Sequence, residues 1–226
     1  MVEFNRNLTS EDVLNICVER HRLASPFDPE ADPFIELSFD SSIAEWRDAN
    51  DLISWRPLSL FLNKEFRISP SEKEWKSVLT PSCRRTLKGV CDLIVTHSSN
   101  DNIYPMRVLG KECLSASVFF TLKRSLKEEG VDVSEIRPST ALSPYLDKYF
   151  SEMIMLITIL AKGNVVLRQL EVKEVIREYY VKKGFFRFFC SSSSSSDIDF
   201  IRIVFETGDI KTFRDLTLKL IEVNSN

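Results

Sequence analysis

The stretch FFRFFCSSSSSSDIDFIRIVF, residues 185–205, joins two aromatic-rich runs through six consecutive serines. In each run, large apolar side chains recur at every second position, which is typical of a β-strand with one fully apolar face. An unpaired apolar strand invites aggregation, so we expect the runs at 185–190 and 200–205 to pair antiparallel. The serine tract is then a loop between two strands of one sheet, and not a linker between domains.

A two-stranded hairpin is only marginally stable, so this pair needs a third strand or a covering helix. The segment FIELSFD, residues 34–40, alternates Ile35, Leu37 and Phe39 with polar residues. A period of two predicts a half-buried strand. We therefore expect residues 34–40 to supply a third strand.

Helix-start signals recur along the rest of the chain. A cap residue, a proline at the first helical position or a capping box predicts helices that begin at Thr9 or Ser10, Ser69, Thr80, Ser143 and Thr212. The capping box of the helix that begins at Ser69 consists of Ser69 and Glu72. The helix that begins at Ser143 is expected to run to about Ala161. Apolar spacing predicts further helices near Pro57, over 111–129 and over 171–181.

These elements predict an α+β protein that is mostly helical, with a small antiparallel sheet formed largely by the C-terminal region. The chain of 226 residues is long enough to bury a substantial core. We expect one domain over 1–226, with a C-terminal subdomain at 165–226 built from a helix, a β-hairpin and a helix.

Composition excludes several classes of protein. The N-terminus carries no signal-peptide pattern, and the longest strongly apolar run, residues 153–161, is too short to span a bilayer. The five cysteines include no CxxC motif, and two histidines are too few for a histidine-based metal site. Phosphate-binding glycine motifs are absent from the sequence. We expect a cytoplasmic protein with reduced thiols, no membrane association, no metal and no cofactor.

The sharpest candidate site is the basic cluster Arg84, Arg85 and Lys88. A helix that begins at Thr80 would place these cations in its first two turns, where backbone N–H groups favour anions. The cluster is therefore a candidate for binding an anion or a partner. A solvated helix face is the alternative interpretation.

A thiol and an imidazole occur four residues apart in the first predicted helix, at Cys17 and His21. The spacing allows them to lie side by side, and an imidazole can activate a thiol. The alternative is a core cysteine beside a boundary histidine. Because no third residue is evident to orient the base, we predict no catalytic residues.

Charge is spread unevenly: residues 1–51 carry twelve acids and four bases, and the remainder carries 21 acids and 26 bases. The N-terminal segment is thus at −8 and the remainder at +5. This asymmetry and the absence of a catalytic motif favour a non-catalytic partner-binding or scaffold protein whose partner is a protein. The alternatives are an enzyme with a site assembled from scattered residues, and a nucleic-acid binder that uses the basic cluster or a basic ribbon near residues 182–187.

Overall fold

The computed structural model describes residues 8–98, 106–168, 170–180 and 198–225, with the backbone alone at 173–180 and 198–203. The fold is α+β and mostly helical. The helices are α1 (Ser10–Ala24), α2 (Ile43–Ala49), α3 (Trp55–Phe66), α4 (Glu72–Leu79), α5 (Leu87–His97), α6 (Leu114–Glu128), α7 (Ser143–Lys148), α8 (Phe150–Leu160) and α9 (Phe213–Asn224). Four strands form two antiparallel pairs: β1 (Arg107–Val108) with β2 (Lys111–Glu112), and β3 (Glu171–Tyr180) with β4 (Ile198–Glu206).

Buried apolar side chains form two clusters, and α1 contributes to both. The N-terminal core takes Val13 and Cys17 from α1 together with side chains of α2, α3, α4 and α5. The C-terminal core takes Leu23 from the end of α1 together with side chains of α6, α7, α8 and α9. Helix α8 is buried on most of its surface, as its apolar sequence predicts. Helices α1 and α8 therefore hold the two cores against each other.

Capping boxes begin four of the helices in the described part of the chain. In each, a Ser or Thr side chain accepts from the third helical N–H and the side chain of an acid accepts from the backbone N–H of the cap residue. Thr9 begins α1 and Thr212 begins α9 in this way, as predicted. The prediction for α4 was wrong by two residues: the box pairs Ser71 with Glu74, and not Ser69 with Glu72. Both residue pairs fit the capping-box pattern. Pro70 is buried in the segment before the helix, so the helix begins after Ser71.

The third strand predicted at 34–40 does not form. Ile35, Leu37 and Phe39 are half-buried and their neighbours are exposed, so the alternation in burial is real. The backbone instead bonds to the start of α5: Lys88 N donates to Phe39 O at 3.1 Å and Leu87 N donates to Ser41 O at 2.9 Å. The same bonds explain why the helix predicted from Thr80 begins only at Leu87.

The helix predicted at 171–181 was also wrong, because residues 171–180 form strand β3. Its spacing of apolar residues fits a helix, but Val172, Val175 and Ile176 are β-branched and favour a strand. In the register of the sheet, Val172 lies opposite Phe205 and Tyr180 lies opposite Ile198. Within 165–226 the described elements are therefore strand, strand and helix, in place of the predicted helix, hairpin and helix.

The serine tract lies in the connection between these paired strands. Strand β4 covers the second aromatic run, as predicted, and it pairs with β3. The first run and the six serines lie outside the described residues. Because the strands before and after the tract belong to one sheet, the tract connects two parts of the same sheet.

The sheet is anchored to the helices through Phe205, near the end of β4. Its ring stacks on Phe150 at 4.8 Å and meets Phe27 edge-on at 5.1 Å, both between ring centroids. Its backbone N–H donates to Asp147 Oδ1 at 2.8 Å, and its carbonyl accepts from Ser143 Oγ at 2.6 Å. Helix α7 thus supplies the cover that a two-stranded sheet requires.

The long helix predicted from Ser143 to Ala161 is divided in two. Tyr149 leaves helical geometry, with φ −132° and ψ 46°, and separates α7 from α8. Its hydroxyl accepts from the backbone N–H of Asp132 at 3.4 Å, and its ring stacks on Tyr145. The break turns α8 into the space between α1 and α6.

Candidate functional site

The basic cluster is exposed and differs from its predicted setting. Arg84 and Arg85 precede α5, and only Lys88 lies in its first turn. Arg85 Nε donates to Thr80 O at 3.1 Å, while Lys88 Nζ lies 3.0 Å from Asp92 Oδ2 and 5.4 Å from the centroid of the Phe39 ring. None of the three lines either of the cavities described below. The cluster is thus a solvent-exposed group of cations, and its binding of an anion or a partner stays a prediction.

Cys17 and His21 are both buried, at 6% exposure each. Burial raises the pKa of the Cys17 thiol to about 12, with a smaller opposing effect of Arg20. Neither ring nitrogen of His21 has a hydrogen-bond partner within the described residues, so the imidazole does not bond to the thiol. A neutral thiol without a base agrees with the core-cysteine interpretation and not with nucleophilic catalysis.

The described thiols divide into buried and accessible ones, and this predicts their reactivity. Burial raises the pKa of Cys91 well above its ordinary value, as it does for Cys17. Cys113 is half-buried, and hydrogen bonds from Ser115 and from the backbone of Ala116 lower its pKa. Cys83 is exposed. Because the thiolate is the reactive form, Cys113 is expected to be alkylated in the native protein.

Iodoacetamide at neutral pH followed by peptide mapping measures this order. Cys83 and Cys113 are expected to label first, and Cys17 and Cys91 at least roughly a hundredfold more slowly, since labelling them requires local opening. Labelling in denaturant is the control and should remove the difference. Rapid labelling of Cys17 in the native state would contradict the buried position of this thiol.

A cavity of about 350 Å³ lies between α1, α3 and α8. Apolar lining comes from Ala24, Phe61, Phe150, Ile154 and Met155. Polar lining comes from Arg20, Lys64, Glu65, Glu129, Ser151 and Glu152. Most of the accessible wall area is nevertheless apolar. Such walls, with polar groups that converge on the cavity, are typical of small-molecule sites, which occupy about 300–1,000 Å³.

An ion pair between Arg20 and Glu65 forms part of the cavity wall. Arg20 Nη2 donates to Glu65 Oε1 and lies 3.4 Å from Thr158 Oγ1. The Glu65 side chain is 0% exposed and the Arg20 side chain is 22% exposed. Burial alone would lower the pKa of the Arg20 guanidinium, but the adjacent Glu65 carboxylate more than offsets this, so that pKa lies above its ordinary value.

This ion pair is only half formed. Within the described residues, Arg20 Nε and Glu65 Oε2 are buried and have no hydrogen-bond partner. A buried polar atom without a partner costs about 1–3 kcal/mol, and more for a charged group. Both atoms are closed to solvent, so the pair carries this cost inside the protein.

A second cavity of about 80 Å³ lies on the other side of Glu65 and shares Glu65, Glu129 and Met155 with the first. At the rim, Lys64 Nζ lies 2.6 Å from Glu129 Oε2, which ties α3 to the end of α6. Arg67 and Glu128 form another ion pair between the same two parts of the chain. These pairs fix the position of Glu65 between the two cavities.

Two signals in the sequence point to this site, although they do not identify it. In α1, Arg20 falls at the spacing of Val13 and Cys17, and in α3, Glu65 falls at the spacing of Leu58 and Leu62. A charged residue in an apolar stripe predicts a buried charge that needs a partner. The sequence cannot show that the two partners are each other, because they lie 45 residues apart.

Comparisons with known proteins add no family. Neither the protein-family models, nor the curated proteins, nor the solved structures give a match to this chain. Over the ranges that the structure describes, no helix is both long and apolar enough to cross a membrane. The geometry of the cavity is thus the main guide to function.

Proposed function

We propose that this chain is a non-catalytic binding protein and that the cavity beside Arg20 and Glu65 holds a small, largely apolar ligand. The observation that carries the proposal is the cavity of about 350 Å³, in which aromatic and aliphatic side chains combine with a few charged groups. Polar groups in the lining orient a ligand, while the apolar walls supply most of the binding free energy. Phe61, at 41% exposure, lies where a ligand would meet solvent.

Methyl NMR spectra of the protein titrated with small cyclic probes, such as cycloheptanone and indole, test this function. Met155 lines both cavities and Ile154 lines the larger one, so their methyl signals are expected to shift. The methyl of Met106, which is exposed beside β1 and lines neither cavity, is the internal control. Probes are raised to about 10 mM, where a ligand with a Kd near 1 mM is mostly bound.

A cavity-filling variant localises the binding. Ala24 is half-buried at the end of α1 and lines the cavity, so Ala24→Phe is expected to fill it and abolish the methyl shifts. Ala44→Phe is the matched control, since Ala44 is half-buried in α2 but lines neither cavity. If neither cycloheptanone nor indole moves the Met155 and Ile154 methyls, the proposed function is wrong.

An enzyme is the second candidate, because three glutamates line the cavity: Glu65, Glu129 and Glu152. Carboxylates in one cavity are the groups used for general acid–base catalysis. Two of the three are already paired with Arg20 and Lys64, which favours the binding function. Release of nitrophenol from nitrophenyl esters or glycosides, lost in Glu152→Gln, would favour the enzyme; no release would reject it for these substrates.

We also infer a protein partner and a cytoplasmic location. The charge asymmetry between residues 1–51 and the remainder supports the first. The four free thiols in the described part of the chain support the second, since reducing compartments keep thiols unpaired. Affinity purification from a cell lysate with mass spectrometry tests the partner, and fractionation of the same lysate tests the location.

A further inference from the structure

The loop between α1 and α2 presents an aromatic side chain to solvent: Phe34 is 91% exposed. Its backbone is held in place, because Asp32 Oδ1 accepts from the N–H of Phe34 at 3.0 Å and Pro33 restricts the chain between them. A side chain on a restrained backbone loses less conformational freedom on binding. Aromatic residues are enriched among those that carry the binding free energy of protein interfaces. Phe34 is therefore a candidate anchor for a protein partner.

The surroundings of Phe34 are acidic. Residues 28–45, called the acidic segment below, contain six acids and no base. Burial alternates along residues 34–40, so that Phe34, Glu36 and Asp40 are exposed while the residues between them are half-buried. Within the described residues, none of the six carboxylates forms an ion pair. A surface that covers Phe34 must therefore bring positive charge.

Such positive charge lies directly beside the acidic segment in the same fold. Residues 75–91, called the basic segment below, contain no acid and four exposed bases, namely Lys76, Arg84, Arg85 and Lys88. The two segments are in backbone contact, since Ile43 N donates to Arg85 O at 2.8 Å. Over the ranges that the structure describes, Arg84 and Arg85 form no ion pair. The neighbouring charges of opposite sign thus stay unpaired within one chain.

A surface with an acidic half and a basic half is complementary to a copy of itself. A half-turn about an axis between the two segments places the acidic segment of one protomer on the basic segment of its partner, and the same rotation forms the reverse contact. This arrangement is closed, so association ends at a dimer. A nucleic acid would meet the bases but would be repelled by the acidic segment.

Resting on the protein partner proposed above, we infer that this partner is a second copy of the chain. The acidic segment, the basic segment and Phe34 form the two-fold interface, in which the Phe34 rings are the apolar anchors and the arginines meet the carboxylates. Aromatic residues and arginine are the types enriched at protein interfaces. The interface gives a role to the cluster of Arg84, Arg85 and Lys88.

Sedimentation velocity of the full chain measures this association. The average mass should rise with concentration from one chain towards two and stop there, up to about 100 μM, where a dimer with a Kd of about 10 μM is mostly formed. Raising the salt concentration from about 0.1 M to about 1 M shortens the Debye length from about 10 Å to about 3 Å and should weaken the dimer several-fold. A monomer at every concentration in low salt would overturn the inference.

Phe34→Ser removes the anchor and should weaken the dimer at least about tenfold, the usual effect of losing a central aromatic residue. Because Phe34 is almost fully exposed, this variant should fold like the unmodified protein, and circular dichroism checks that it does. Leu109→Ser is the matched control, since Leu109 is 99% exposed in the turn between β1 and β2. It should leave the dimer unchanged. Undiminished association of Phe34→Ser would show that the interface is elsewhere.

Charge exchange tests the pairing of the two segments. Glu30→Lys/Glu36→Lys reduces the negative charge beside Phe34, and Arg84→Glu/Arg85→Glu removes the positive charge of the basic segment. Each variant should associate more weakly than the unmodified protein. An equimolar mixture should form mixed dimers that are more stable than either variant's own, because the unaltered acidic segment of one then meets the unaltered basic segment of the other. A mixture that associates no better than its components would contradict the two-fold pairing.

The outcomes separate this inference from the function proposed above. Neither segment lines the two cavities, so the methyl shifts with cycloheptanone and indole are expected whether or not the chain dimerises. A chain that stays monomeric overturns the dimer and leaves the ligand-binding function standing. If a monomeric chain retains a different protein from the lysate and Phe34→Ser loses it, the protein partner stands and its identity as a second copy is wrong.

Discussion

Glu65→Leu is expected to lower the free energy of unfolding by about 3–5 kcal/mol, the usual cost of removing one partner of a buried ion pair. The Glu65 side chain is fully buried, and its loss leaves the Arg20 guanidinium without a counter-charge in the same place. Arg20→Met should cost a similar amount, since it leaves the carboxylate unpaired. Urea unfolding followed by circular dichroism measures both changes.

The double variant Arg20→Met/Glu65→Leu is expected to be within about 1 kcal/mol of the unmodified protein, because hydrophobic replacements of a whole buried pair are often neutral or stabilising. The coupling free energy between the two positions should therefore be large. Arg56→Met/Glu72→Leu supplies the control cycle, because this pair is well exposed and is worth at most about 1 kcal/mol. If the losses in unfolding free energy of the two single variants simply add in the double variant, Arg20 and Glu65 do not stabilise the protein through their contact.

Gly163→Ala is expected to reduce the free energy of unfolding by more than about 4 kcal/mol, an exceptional loss for a single methyl group. Gly163 follows α8 with φ +74°, a conformation that disfavours residues with a Cβ. A Cβ placed there would lie 2.2 Å from the carbonyl carbon of Asn15 and 2.4 Å from Ile16 N. Because these are backbone atoms of α1, the contact between α1 and α8 must open to admit the methyl group.

Gly130→Ala is the matched control for this experiment. Gly130 also follows a helix, α6, and has φ +86°, but no atom lies within 4 Å of a Cβ placed there. It should cost only the penalty of the left-handed conformation, roughly 1–2 kcal/mol. Urea unfolding of the two variants under the same conditions isolates the steric contribution. Equal costs would mean that α1 and α8 are not in close backbone contact at this point.

The opening at Gly163 would also affect the proposed site. Helices α1 and α8 carry Arg20 and Thr158, which contact each other, and Arg20 lines the cavity. We therefore expect Gly163→Ala to weaken probe binding as well as stability, whereas Gly130→Ala should leave binding unchanged. Comparison of these two variants therefore tests whether the packing of α1 against α8 determines the geometry of the cavity.

Local signals identified most of the helices. Thr9 and Thr212 begin helices because the cap and its acid lie three residues apart, so the whole interaction is contained in a short segment. The same holds for the end of α6 before Gly130, whose positive φ ends the helix. Where two such signals overlap, as at Ser69 and Ser71, the burial of Pro70 decided between them.

Strand pairing could not be predicted in the same way. Residues 171–180 have helical spacing, and residues 34–40 alternate like a strand, yet the first became β3 and the second remained a loop. A strand is stabilised by its partner, so its formation depends on which segment lies beside it. Residues 171–180 form a strand because β4 pairs with them, whereas the backbone near Phe39 bonds to the start of α5.

The sequence by itself determined where α1 and α9 begin, where α6 ends, and that the aromatic run at 200–205 forms a strand. Only the tertiary structure decided the partner of that strand and the meeting of Arg20 with Glu65 at a cavity. The physical reason is the distance along the chain over which each interaction acts. Caps and apolar stripes involve residues only a few positions apart, so a short segment contains the whole interaction. Strand pairs and buried charge pairs join residues far apart in the chain, and neither partner alone specifies the other.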